Sequence, residues 1–332
     1  MMKILSRNIF YYKNYFTCKL FPNYAANYLL DFYYTARNFP QQKQEEEFEK
    51  TTKHNILKIP TAGYKERVTK INKNNKEKKE MKISHIPELP EEITVLEFLP
   101  EDNIEKKQCT IICAHGWEGR GTNFYKFISK LLEKGFRVLA IDYPMHGNTP
   151  GTESGCHVFG FALNCVIYYI TEPIILLVHS LSNEAASINY YISDEQTRNK
   201  IKGFVGISAL DKITDCITDF GKMAGLDDYT TNIFLKKNSE KFGMDFDFFV
   251  LSEAIKNFNY PCLIVHDEND KEVPIKCAIN TSKKIPKKFR TYKIEDKEFP
   301  CFYKTSGLGH RRILRDDNVV NVIVNFISNI KL

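Results

Sequence analysis

The residue most ready for chemistry is Ser180. It closes the apolar run PIILLVHS and is followed at once by the helix-compatible stretch LSNEAASINYY. A serine on such a strand-to-helix turn projects its hydroxyl above the sheet. The Leu181 backbone N–H faces the same space, and the helix N-terminus adds positive potential. This is the pattern of a nucleophile elbow. A serine that only caps a helix start is the competing reading. The apolar strand, the His-Ser-Leu sequence and the small residue after it favour the elbow.

Other chemistries find less support. No H-E-x-x-H or H-x-H cluster is present, and no two of the nine cysteines form a CxxC pair, so no metal is expected. The segment GRGTNF lacks the lysine of a phosphate loop and the spacing of a dinucleotide fingerprint, so no cofactor is expected either. The odd number of scattered cysteines points to free thiols and a reducing, cytoplasmic setting. A net charge of +6 over 332 residues does not argue for nucleic acid.

The elements that must position Ser180 are legible from about residue 109 onward. The runs CTIICAH, FRVLAIDY, PIILLVHS, IKGFVGIS and YPCLIVHD are short and apolar, as strands buried on both faces are. Amphipathic stretches separate them. In NFYKFISKLLEKG, apolar residues fall at helical spacing and Gly135 marks the stop. Strands alternating with helices predict a parallel sheet with right-handed crossovers, and ligands then bind beyond the strands' carboxyl ends.

Residues 210–258 interrupt this alternation and read as a helical insertion over the strand ends. Within it, Ile217, Phe220 and Met223 are expected to face the substrate. Before the alternating region come the strand-like pieces ILKIP and ITVLEFLP. Between them KERVTKINKNNKEKKEMK reads as a solvated insertion or hairpin tip. Residues 1–50 read as a helical extension. Its aromatic residues alternate with Lys3, Arg7, Lys13 and Lys19. Packing against the body is the favoured reading; a weak membrane-surface contact is the other.

The segments HGWEGRGTNF, IDYPMHGNTPG, VHSLSNEAA, VHDENDKEVP and TSGLGHRRILRD, in this order, resemble successive landmarks of the α/β-hydrolase superfamily, in its esterase-like serine hydrolase branch. The resemblance spans about residues 90–330 and leaves the first fifty outside. It implies an α/β-hydrolase fold in residues 51–332: a mostly parallel central sheet flanked by helices, with a helical cap at about 210–258 and the helical N-terminal extension.

It also implies roles. Ser180 matches the nucleophile, Asp270 the acid of D-x-x-V-P, and His310 the base of G-L-G-H. The backbone N–H groups of Trp117 and Leu181 match the oxyanion hole. Asp267 is the competing acid, but Val273-Pro274 sets the register for Asp270. His115, His146 and His179 read as structural, with His146 and Gly147 ending a loop at the site entrance. The elbow departs from the usual small-residue pattern at Val178, Ser182 and Asn183. A β-branched Val178 is expected to crowd the turn.

The expected reaction is cleavage of a small-molecule carboxylic ester or thioester through an acyl-enzyme, without a cofactor. A non-catalytic binding or scaffold protein on the same fold, and a membrane-peripheral lipid hydrolase, are the alternatives.

Overall fold

Each short apolar run of the sequence forms a strand, because β-branched side chains pack well when both faces of a sheet are covered. The computed structural model describes residues 2–37, 39–74 and 83–332. Helices α1 (Met2–Leu20), α2 (Pro22–Tyr34) and α3 (Lys43–Thr51) lead into strand β1 (Asn55–Pro60). Helix α4 (Tyr64–Asn74) and strand β2 (Glu92–Phe98) follow. The alternating part runs β3 (Thr110–Ala114), α5 (Tyr125–Glu133), β4 (Arg137–Ile141), α6 (Cys156–Tyr169), β5 (Ile174–His179), α7 (Leu181–Ile192), α8 (Glu195–Asn199) and β6 (Ile201–Ile207). Helices α9 (Ile213–Met223), α10 (Asp228–Phe242) and α11 (Leu251–Ala254) precede β7 (Cys262–Asp267). The chain closes with α12 (Ile275–Lys284), β8 (Thr291–Ile294), β9 (Lys297–Pro300), β10 (Phe302–Thr305), α13 (Gly309–Arg312) and α14 (Asp317–Ser328).

The main sheet has eight strands in the order β1-β2-β4-β3-β5-β6-β7-β10. Only the β1–β2 and β2–β4 pairs in it are antiparallel. Alternate residues of β5 enter different cores. Leu176 and Val178 join the cluster under α6, α7 and the cap, whereas Ile175 and Leu177 join the cluster with α5 and α14.

Strand order places the chemistry. The chain runs from β3 outward to β4, then returns to lay β5 on the other side of β3. That reversal opens a crevice beyond the carboxyl ends of β3 and β5. Ala114 pairs with Val178, so the residues after each strand emerge side by side. Thr305 of β10 pairs with Asp267 of β7, which brings the segments around residues 270 and 310 together.

One sequence expectation changes, and two features were not foreseen. Residues 64–74 are a helix rather than a hairpin tip, because Tyr64 and Val68, one turn apart, bury their side chains in the core. The rest of that polar stretch, residues 75–82, lies outside the described residues. The polar β8–β9 hairpin and β10 carried too little apolar alternation to stand out. Finally, α1 and α2 pack against the cap. Tyr33 meets Phe220 with ring centroids 4.8 Å apart, Tyr34 meets Phe242 at 4.5 Å, and the Tyr34 hydroxyl donates to Asn238 Oδ1 at 2.6 Å. The N-terminal helices and the insertion thus form one roof.

Candidate active site

Ser180 sits between β5 and α7 with φ 54° and ψ −120°. This conformation is sparsely populated for a residue with a Cβ and costs about 1–3 kcal/mol. It is held by the sheet on one side and the helix on the other. The Ser180 amide donates to Ile207 O at 3.0 Å, and Asn183 Nδ2 donates to both Ser180 O and Ile207 O, at 3.0 and 3.1 Å.

His310, the second residue of α13, places Nε2 2.8 Å from Ser180 Oγ. Its Nδ1–H donates to Asp270 Oδ2 at 2.7 Å. The other Asp270 oxygen accepts the amides of Glu272 and Val273 at 2.8 and 2.9 Å. Burial alone would raise the Asp270 pKa. The hydrogen bond and charge of His310, with those two amides, outweigh it and hold the carboxyl below its ordinary range. An imidazole held this way has its free nitrogen on the serine, where it can take the hydroxyl proton.

Asp267 does not touch His310. It accepts Thr305 Oγ1 at 2.8 Å and the Leu308 amide at 3.0 Å, pinning the loop that carries the histidine. His266, not foreseen from the sequence, is buried with Nε2 3.6 Å from Asp270 Oδ2. Glu272, 3.8 Å from His310 Nε2, was also missed.

After β3 the chain passes Gly116 to Trp117. A Cβ on Gly116 would lie 2.8 Å from the Ser180 Cβ, so only glycine allows this approach. Neither the Trp117 nor the Leu181 amide donates to an acceptor among the described residues. Both residues border the crevice with Ser180.

That crevice is a cavity of about 790 Å³. Its walls are mostly apolar: Phe10, Phe32 and Tyr33 from the N-terminal helices, and Ile213, Cys216 and Phe220 from α9. A smaller cavity of about 140 Å³ also reaches Ser180, bordered by Arg120, Glu272, Arg311 and Arg315. Arg37 reaches from the N-terminal segment to Glu118, with Nε 2.7 Å from Oε1.

No family model and no curated relative matches the chain. Among solved structures it is similar to the Pyrococcus furiosus esterase Pf2001. Identity is 12 %, with 89 % of this chain and 99 % of that one covered and a TM-score of 0.55. A second crystal form of that esterase gives 13 %, 89 %, 97 % and 0.54. Est1E from Butyrivibrio proteoclasticus is 18 % identical over 71 % of this chain and 93 % of its own, with a TM-score of 0.47. The chain has the α/β-hydrolase fold.

Within this hydrolase fold, the elbow departures have structural partners. Val178 lies between Ala114 and Gly206 in adjacent strands, both small, so its branched side chain has room on that face. Asn183 ties the turn as described, and a Cβ on Gly206 would come 2.4 Å from its Oδ1. The Ser182 hydroxyl donates to the His115 carbonyl. Of the expected cap residues, Phe220 and Met223 line the cavity. Ile217 does not: it is fully buried in the core, because the face of α9 that meets the cavity carries Ile213, Cys216, Phe220 and Met223. The His146-Gly147 loop also lies elsewhere than expected. The loop borders neither cavity, and His146 is buried, accepting the Glu118 amide on Nε2 at 3.0 Å.

Five buried histidines frame the site and the roof. Burial holds His115, His146, His157 and His266 below the ordinary histidine range. Burial, followed by the charge of His310, lowers His179 to about 3. Each resists protonation in the folded chain but takes up a proton near about pH 6.5 once unfolded. Acidification therefore favours the unfolded state. Stability should fall as pH drops below about 6.5, continuing toward the folded-state values. Each group adds a slope of up to about 1.4 kcal/mol per pH unit. Urea midpoints measured at pH 7 and pH 5 check this. An unchanged midpoint would mean that these rings are not held neutral.

Proposed function

We propose that this protein is a serine hydrolase that cleaves a carboxylic ester or thioester through an acyl-enzyme. The observation that carries the reading is the Ser180–His310–Asp270 chain of hydrogen bonds, 2.8 and 2.7 Å long, at a strained strand-to-helix turn.

In the first step His310 takes the Ser180 proton as Oγ attacks the acyl carbon. Negative charge gathers on the carbonyl oxygen. The Trp117 and Leu181 amides are the donors offered to it, and one such donor is worth roughly 3–4 kcal/mol in the transition state. Asp270 stabilises the imidazolium and fixes its orientation. His310 then gives its proton to the leaving alcohol or thiol. Water repeats the sequence to free the acid.

The large apolar cavity suits the acyl group, and the smaller polar cavity that also borders Ser180 suits the leaving group. A fluorophosphonate probe should form its adduct on Ser180. Octanoyl esters of p-nitrophenol should exceed acetyl esters in kcat/KM by about tenfold or more, because the longer chain buries more methylenes. Phe220→Ala should narrow that ratio. A chain that stays unlabelled while a control hydrolase reacts would support a binding protein on this fold. Equal rates for acetyl and octanoyl esters would mean that the cavity does not hold the acyl group.

A further inference from the structure

The roof of the cavity has an outer face. Nine of the 17 large apolar side chains exposed among the described residues fall within residues 9–32. On α1 they recur as Ile9, Tyr12, Phe16 and Leu20, one stripe at helical spacing. On α2, Tyr24, Tyr28 and Phe32 form a second stripe. The two helices lie side by side: Phe10 and Phe32 have ring centroids 5.0 Å apart, and Lys13 Nζ lies 4.9 Å from the Tyr28 ring centre. A soluble surface rarely concentrates apolar side chains to this degree without a use.

Charge narrows the choice of occupant. Residues 2–34 carry Lys3, Arg7, Lys13 and Lys19 against a single acid, Asp31. Asp31 is itself paired with Lys241 at 3.0 Å. Aromatic side chains interleaved with basic ones suit the headgroup boundary of an anionic bilayer. The place of the cavity mouth points the same way. Phe32 is 49 % exposed and Met223 61 % exposed, yet both line the cavity. A second protein seated on this face would cover that mouth, whereas a bilayer would feed it. No helix among the described residues is long and apolar enough to cross a membrane.

We infer that α1 and α2 dock this protein on an anionic membrane surface, with the cavity mouth at the lipid, so that acyl esters enter from the bilayer. The use of the cavity rests on the hydrolase reading; the docking does not.

The test is flotation of the full-length Ser180→Ala chain with vesicles of phosphatidylcholine, alone or with phosphatidylglycerol added. At least about tenfold more protein should float with the anionic vesicles, and added salt should reduce that share. Phe16→Ser with Leu20→Ser should abolish flotation, and Lys13→Glu with Lys19→Glu should remove the anionic preference. With Ser180 restored, both double variants should keep their activity on a soluble short-chain ester, which shows that they fold. Failure to float with either lipid would overturn the inference. So would flotation indifferent to both double variants, or a dimer in sedimentation that Phe16→Ser with Leu20→Ser breaks. Flotation needs no turnover. A chain that floats but hydrolyses nothing would sink the hydrolase reading alone.

Discussion

Ser180→Ala should lower kcat on p-nitrophenyl esters by about 10⁵-fold or more, with KM little changed. A nucleophile that acts as a unit with its base leaves only the residual effect of the oxyanion donors and substrate binding when removed. The Ser180 hydroxyl is the group within 2.8 Å of His310 Nε2, and methyl cannot replace it. The apolar cavity that would hold the acyl chain is built by other residues, so binding should persist. The fold should persist too. The strained turn is held by backbone contacts to Ile207 and by Asn183, none of which uses the Ser180 side chain. Steady-state rates and thermal unfolding of the variant check both halves. Activity above about a hundredth of wild type would place the nucleophile elsewhere.

Asp270→Asn should lower kcat by about 10³- to 10⁴-fold, and the geometry gives the reason. Two amides, from Glu272 and Val273, converge on one Asp270 oxygen. In the variant they keep the amide oxygen on their side. The new NH₂ then faces His310 Nδ1 and donates to it. That forces the proton onto Nε2, where the serine needs an acceptor. The imidazolium that forms during turnover also loses its countercharge. Asp267→Asn should behave differently. Burial opposes the Asp267 charge, but the Gly309 and Leu308 amides and the Thr305 hydroxyl outweigh it and hold the carboxylate below its ordinary range. Losing that charge should loosen the loop and lower the melting temperature, with a rate loss of roughly tenfold or less. The opposite ranking of the two variants would assign the acid to Asp267.

The strands that carry these residues were readable because their signals are local. A short β-branched run ending in His-Ser and passing straight into a helix needs nothing distant to be recognised. The same holds for Gly135, whose positive φ of 83° ends α5 where the apolar spacing stops. Helix α4 was missed because only Tyr64 and Val68 mark its inner face in a highly charged stretch. The Ile217 placement failed for a related reason. Periodicity shows that α9 has an apolar face. It does not show which part of that face meets a cavity and which meets a core.

The resemblance to the α/β-hydrolase landmarks supplied Asp270 and His310; by itself the sequence determined the order of strands β1–β7 and the serine at a strand end. Both of the latter follow from side-chain period and turn chemistry within a few residues. Only the tertiary structure decided which of Asp267 and Asp270 reaches His310, since Asp267 ends β7 and Asp270 lies three residues further on. It alone decided that Val178 fits, because the room comes from Ala114 and Gly206 on neighbouring strands. And it alone placed Phe10, Phe32 and Tyr33 over the cavity beside Phe220. An apolar helix face states that it must be covered; which face nearly two hundred residues away covers it is settled by packing the whole chain.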